Sequence, residues 1–142
     1  MALNITKFIN RFIDEARDLL RYLGDGVKSL EQGQSDAELI NSLFRSAHTI
    51  KGSARMLSLE PIAEVSHSLE ELLSALREQK IQNNAQVVDA LYQSVDSLSD
   101  MVEHLSSTQD AKSLPAASQS LCARLLALSA GEAAAPSEST PD

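Results

Sequence analysis

The chain has 142 residues, the size of one globular domain, and 43% of them are apolar, which is enough to bury a core. Leucine and alanine make up more than a quarter of the sequence, whereas Trp is absent and aromatic residues reach only 4%. This composition favours helices and argues against an all-β fold. The net charge of −8, with no basic run, argues against a nucleic-acid ligand.

The cysteine count and the hydropathy pattern favour a cytoplasmic protein. Cys122 is the only cysteine, so an internal disulfide is excluded, and we expect this residue to be a small member of the core. No apolar run in the sequence approaches the roughly 18 residues that a bilayer-spanning helix needs. We therefore expect a cytoplasmic chain that does not contact a membrane.

Apolar residues recur at three- and four-residue steps near the N-terminus, which predicts an amphipathic helix over residues 5–23. Its expected core-facing residues are Ile5, Phe8, Ile9, Phe12, Ala16, Leu19 and Leu23. Because glycine disfavours the interior of a helix, we expect Gly24 and Gly26 to end this one. Gly33 then falls in a polar link.

The next three helices are predicted from stripes with the same spacing, over residues 40–57, 62–76 and 88–105. Residues that favour helix starts precede each stripe: Ser35 or Asp36 before the second helix, Pro61 before the third, and Asn83 and Asn84 before the fourth. A shorter fifth helix is predicted over residues 118–130.

The composition changes after the fifth helix to Ala, Ser, Glu and Pro, which predicts a flexible linker or tail over residues 131–142. Long amphipathic helices joined by short connections favour antiparallel packing. The predicted fold is therefore all-α, an antiparallel four-helix bundle with an additional C-terminal fifth helix, in one domain over residues 1–130.

One glycine does not fit a plain helical bundle. Gly52 falls inside the second predicted helix, one turn after His48 and beside Lys51, and Arg55 lies on the same face. A glycine there costs about 1 kcal/mol relative to alanine, and it allows either close helix packing or the approach of a bulky group to the imidazole. Because Lys51 supplies positive charge, a phosphoryl group fits this face.

The third helix carries a candidate partner for His48. His67 and Glu70 are three residues apart on one face, and a hairpin folded about Pro61 places Glu70 opposite His48. A carboxylate bonded to one imidazole nitrogen fixes the tautomer and leaves the other nitrogen as a nucleophile.

Simpler interpretations of these residues remain open. His48 could be an ordinary residue at the edge of the core, and His67 with Glu70 a solvated surface pair. The same three side chains could also ligate a metal, but the paired motifs of di-iron carboxylate proteins are missing from the sequence, so we expect no metal. His104 lies on the polar flank of the fourth helix and is assigned no function.

Residues 44–54, FRSAHTIKGSA, resemble the phosphorylation motif of histidine-containing phosphotransfer (HPt) domains. Residues 65–73, VSHSLEELL, resemble the second helix motif of one branch, the N-terminal P1 domain of CheA-type chemotaxis histidine kinases. The resemblance covers about residues 5–130, and its core, H-x-x-K-G followed by H-x-x-E, is specific. One departure is Ser58, which stands where the family often has glycine in the turn that closes the motif helix.

The resemblance implies a role for each residue of the motif. His48 is the phosphoacceptor, Glu70 is the carboxylate bonded to its ring, and Lys51 and His67 belong to the supporting network. Gly52 is the gap that admits the phosphoryl group. The residues implied in partner docking flank the acceptor: Arg45, Gly52 and Arg55.

The resemblance also implies partners. A histidine kinase catalytic domain would transfer the γ-phosphoryl group of ATP to His48, and a response-regulator receiver domain would take it onto an aspartate. ATP and Mg²⁺ would belong to those domains, because this sequence has no Walker A loop and no Gly-rich kinase loop. We expect a monomeric phosphocarrier that is either the first domain of a longer histidine kinase or a free-standing phosphotransfer protein.

Two alternatives belong to other classes. One is a non-phosphorylated adaptor bundle in which His48 is incidental. The other is the dimerisation hairpin of ordinary sensor kinases, which usually has an acidic residue directly after its histidine and builds its bundle from two chains. Here Thr49 follows His48, and one chain has enough helices for the bundle.

Overall fold

The computed structural model describes residues 3–34 and 36–131. Helices α1 to α5 run over Leu3–Glu31, Ala37–Met56, Glu60–Arg77, Ala85–Thr108 and Gln119–Ser129, and a 3₁₀ helix over Ala111–Ser113 precedes α5. No strand occurs in the two described ranges, so the predicted all-α class is confirmed. The candidate cap Ser35 and residues 132–142 of the predicted tail lie outside the described residues.

Helices α1 to α4 form a four-helix bundle in which each helix packs against its two neighbours, and α5 lies mainly against α3. The predicted bundle with a fifth helix is therefore confirmed. Helix α3 is covered by α2, α4 and α5. The largest fully buried side chains are almost all leucines, and each contributes about 1.5–3 kcal/mol by leaving water.

Helices α2 and α4 begin at capping residues that the sequence predicts. The carboxylate of Asp36 accepts a hydrogen bond from the backbone N–H of Leu39 at 2.8 Å, and the side-chain oxygen of Asn84 accepts one from Val87 at 2.9 Å. Between α2 and α3, Ser58 has a φ of 59°, in the left-handed region that favours glycine. Serine therefore keeps the turn that glycine would make, at a cost of about 1–2 kcal/mol.

The predicted end of the first helix is wrong, because α1 continues through Gly24 and Gly26 to Glu31. A Cβ built on Gly26 would lie 2.3 Å from Cδ2 of Leu43, a fully buried side chain of α2. A Cβ built on Gly24 would meet no atom within 4 Å. Gly26 thus permits close packing of α1 on α2, and this packing outweighs its low helix propensity.

The predicted apolar stripe of α1 also begins too early. Ile5 and Phe8 are 52% and 50% exposed, whereas Ile9 and Phe12 are buried. The core therefore starts near the third turn of α1, and the two exposed residues form an apolar surface instead.

Cys122 and His104, the two residues to which the sequence assigns no function, both have structural roles. Cys122 is buried in the core, as predicted. His104 Nε2 lies 2.9 Å from the backbone oxygen of Ser113, so this side chain joins α4 to the 3₁₀ helix. No helix in the described part of the chain combines the length and the apolar character that crossing a bilayer requires.

We expect Gly26→Ala to lower the free energy of unfolding by about 1–3 kcal/mol, because the new methyl group would overlap the buried side chain of Leu43. Gly24→Ala is the matched control, and it should raise the free energy of unfolding by up to about 1 kcal/mol through better helix propensity. Urea unfolding measures both changes. Equal effects of the two substitutions would contradict the close contact.

Candidate functional site

The α2–α3 hairpin joins His48 to Glu70. Nδ1 of His48 is hydrogen-bonded to Oε2 of Glu70, the pairing that the positions of these residues about Pro61 predict. The side chain of His48 is 61% exposed, whereas that of Glu70 is only 7% exposed. Nε2 of His48 makes no hydrogen bond to any described residue, and the side chain that carries it is largely exposed.

The second oxygen of Glu70 is bound by Lys51. Nζ of Lys51 donates a hydrogen bond to Oε1, and the lysine side chain is 13% exposed. Burial alone raises the pKa of Glu70, but the hydrogen bonds from Lys51 and His48, together with the positive charge of Lys51, outweigh it. The pKa of Glu70 therefore lies below its ordinary value of 4.5, and the carboxylate is ionised at neutral pH.

His67 lies beside this group without bonding to it. Its Nδ1 is 4.0 Å from Oε1 of Glu70, which is too far for a hydrogen bond. The same nitrogen is buried and has no hydrogen-bond partner among the described residues. The structure therefore brings His48, Lys51 and Glu70 into direct contact and places His67 at their edge.

An exposed strip of α2 continues from the imidazole. His48, Gly52 and Met56 follow one another at four-residue intervals, so they share one face of the helix, and Met56 is 86% exposed. A Cβ built on Gly52 would meet no atom within 4 Å, so helix packing does not explain this glycine. Arg45 and Arg55, the arginines implied in docking, are exposed.

A shallow groove of about 260 Å³ lies between α1 and α2 next to this strip. It is lined by Phe8, Arg11, Phe12, Glu15, Ser53, Met56 and Leu57. This apolar patch could not be predicted from the sequence, because Phe8 fits the core-facing pattern of α1 and Met56 is the last residue of α2. Only the packing of the two helices brings the two side chains together.

The imidazole also has an aromatic neighbour that was not predicted from the sequence. The ring of Phe44 is stacked with that of His48, with centroids 6.2 Å apart and planes inclined by 14°. Phe44 is one turn before His48 on α2, so the i, i+4 spacing was a usable signal.

The three residues that the sequence offered as possible metal ligands lie close together, with Glu70 between the two histidines. Glu70 is bonded to His48 and Lys51, and no cluster of three or more His, Cys, Asp or Glu residues in the described ranges is arranged to hold a metal ion.

The family model for the Hpt domain matches residues 7–108 of the chain. The chemotaxis protein CheA of Klebsiella aerogenes is 30% identical over 138 residues, which cover 96% of this chain and 21% of that protein. The CheA phosphotransferase domain from Thermotoga maritima is 32% identical with a TM-score of 0.67, over 71% of this chain and 96% of that domain. The phosphorylated P1 domain of CheA3 in complex with CheY6 from R. sphaeroides shares the fold, with a TM-score of 0.76 at 22% identity, over 90% of this chain and 99% of that one.

The similarity is to one domain of larger proteins. The chain spans only 14% of the length of the CheA protein of Listeria monocytogenes and 21% of that of Klebsiella aerogenes. The family match includes α2 and α3 with the His48–Glu70 pair, and α5 lies beyond it. Since the Hpt model matches more than half of the residues, the chain belongs to the Hpt domain family.

Proposed function

We propose that this domain is the phosphoacceptor of a chemotaxis-type two-component system. His48 receives a phosphoryl group from the catalytic domain of a histidine kinase and passes it to an aspartate of a response-regulator receiver domain. The observation that carries the proposal is the difference between the two nitrogens of one imidazole. Nδ1 is bonded to the buried carboxylate of Glu70, whereas Nε2 has no hydrogen-bond partner among the described residues and belongs to a largely exposed ring. Membership of the Hpt family supports it.

The first step is attack by Nε2. Because Nδ1–H donates to the Glu70 carboxylate, the proton stays on Nδ1 and the lone pair is on Nε2. Nε2 attacks the γ-phosphorus of ATP, the bond from that phosphorus to the β–γ bridging oxygen breaks, and ADP leaves with the electron pair. The ring then carries a positive charge, which the ionised Glu70 balances from a buried position.

The second step returns the imidazole to its neutral state. A carboxylate oxygen of the receiver attacks the phosphorus, the P–Nε2 bond breaks, and its electron pair returns to the ring. We assign ATP and Mg²⁺ to the kinase and receiver domains, so the bundle contributes an oriented nucleophile and leaving group. Open space beside Gly52 supports this assignment, because the phosphoryl oxygens and the partner's loops must approach the ring there.

The docking surface of the partners follows from the exposed groups around His48. We propose that the receiver covers the strip of His48, Gly52 and Met56 together with Phe8 across the groove. Phe8 and Met56 are both exposed and line the same groove, and contiguous exposed apolar patches mark interaction sites. The P1 domain from R. sphaeroides, which has the same fold, was solved in complex with CheY6, and this supports a receiver as the occupant.

We also propose an oligomeric state and a cellular location for the domain. The isolated domain is monomeric, because one chain supplies all four helices of the bundle and no second copy is needed to close the core. The phosphoryl exchange takes place in the cytoplasm, where ATP is available to the kinase.

The function is tested by incubating the protein with a CheA catalytic domain, ATP and Mg²⁺ and mapping the label by mass spectrometry. We expect an acid-labile phosphoryl group on His48 and none on the His48→Gln variant, with unchanged melting temperature. His104→Gln is the control for loss of a histidine outside the site, and it should be labelled like the wild type. Absence of label on the wild-type protein would contradict the proposed function and favour a non-phosphorylated adaptor bundle. Label on another residue would show that His48 is not the phosphoacceptor.

We expect Glu70→Gln to slow labelling of His48 by about tenfold, because an amide does not balance the positive charge of the phosphorylated ring. Initial rates with the same kinase measure the change. An unchanged rate would reduce Glu70 to a structural carboxylate.

The same variant tests the electrostatic role through pH. The folded-state pKa of Glu70 is lowered, so its contribution to stability is complete above the ordinary value of 4.5 and is lost as the pH falls through the lowered value. The difference in free energy of unfolding between wild type and Glu70→Gln should be constant near neutral pH and shrink below about pH 4.5. A difference that stays constant to pH 2 would contradict the ionised pair.

Gly52→Ala separates stability from function. Because a methyl group there meets no atom, we expect the free energy of unfolding to rise by up to about 1 kcal/mol. Transfer to a receiver should slow severalfold, because the methyl group occupies the approach to the ring. Gly24→Ala, an unobstructed glycine elsewhere, should give the stability without the slower transfer. Fast transfer by Gly52→Ala would show that the gap is not needed.

A further inference from the structure

The hydrogen bond to Glu70 fixes the imidazole of His48 at only one atom. The side chain is 61% exposed, so most of its surface has no neighbour that could hold the ring plane. The stacked ring of Phe44 is the second contact, and its geometry, 6.2 Å between centroids and 14° between planes, is that of an offset aromatic pair. Together the two contacts determine both the position of Nδ1 and the plane of the ring.

Phe44 is in turn held by Arg77. The guanidinium carbon of Arg77 lies 3.9 Å from the centroid of the Phe44 ring, within the range of a cation–π contact. Arg77 also donates a hydrogen bond of 3.3 Å to the side-chain oxygen of Asn41. The arginine is the last residue of α3, and it reaches back to α2 one turn before the imidazole.

Helix α3 therefore reaches the imidazole by two routes. Glu70 binds Nδ1 directly, and Arg77, two turns later on the same face of α3, acts through Phe44. The two routes are independent, because Arg77 has no contact with the Glu70 carboxylate, whose partners are His48 and Lys51.

We propose that Arg77 is a positioning residue for phosphoryl transfer. It orients the imidazole of His48 by holding Phe44 against the ring. The inference extends the proposed function and depends on it. The lone pair of Nε2 lies in the ring plane, so a tilt of the plane turns the nucleophile away from the line of attack on phosphorus. The positive charge of Arg77 matters as well as the size of its side chain, because the attraction of a cation to the Phe44 ring is electrostatic.

Arg77→Gln removes the cation and retains a polar side chain, whereas Arg77→Lys keeps a cation. We expect Arg77→Gln to lower the maximal rate of His48 labelling by about tenfold without raising the half-saturating concentration of the domain. Arg77→Lys should recover part of the rate. Phe44→Leu, which keeps an apolar side chain without a ring, should match Arg77→Gln. Arg124→Gln is the control, since Arg124 is another partly buried, ion-paired arginine and lies on α5.

A spectroscopic measurement on the unphosphorylated domain separates this inference from the proposed function. In ¹⁵N and ¹³C NMR spectra of the histidine rings, Arg77→Gln and Phe44→Leu should shift the ring signals of His48 and leave those of His104 unchanged. Wild-type ring signals in Arg77→Gln, or shifted signals with a wild-type rate, would overturn the positioning role. If the wild type takes no phosphoryl group, the proposed function fails and the positioning role with it, whereas the ring signals still report whether the stack exists.

Discussion

The carboxylate of Glu70 is the interaction on which the site depends. It is a buried charge, and an isolated charge in that position would be strongly unfavourable. Lys51 and His48 supply donors to its two oxygens, so all three groups are fixed relative to one another across the α2–α3 interface. The carboxylate thereby links the stability of the hairpin to the tautomer of one exposed imidazole.

Two glycines inside helices differ in what surrounds them: Gly26 is in close contact with another helix, and Gly52 faces open space. Gly26 lets α1 approach Leu43, and the side chain of Leu43 occupies the space that a side chain at position 26 would need. Gly52 also lies within a helix, but the space beside it is empty. The same residue type therefore serves the core on one helix and the surface on another. Composition and helix propensity do not distinguish these uses, because glycine disfavours the interior of a helix equally at both positions.

The sequence predicted what depends on local spacing. Asp36 and Asn84 cap helices as expected, and the contact between His48 and Glu70 follows from their positions about one turn. The end of α1 could not be predicted, because it depends on the fit of Gly26 to a residue 17 positions away. Arg77 was missed for a similar reason, since its contact with Phe44 depends on how α3 lies along α2.

The burial of α3 has a consequence for how the domain opens. Eleven of its 18 residues are buried, and it is covered by three other helices. Local opening in such a bundle begins where apolar contacts are few, such as the first turns of α1 with the exposed Ile5 and Phe8. We therefore expect the amide hydrogens of α3 to be the last to exchange with solvent. We therefore expect the carboxylate bonded to the imidazole to stay in place during fluctuations that open the first turns of α1, where we propose that a receiver docks.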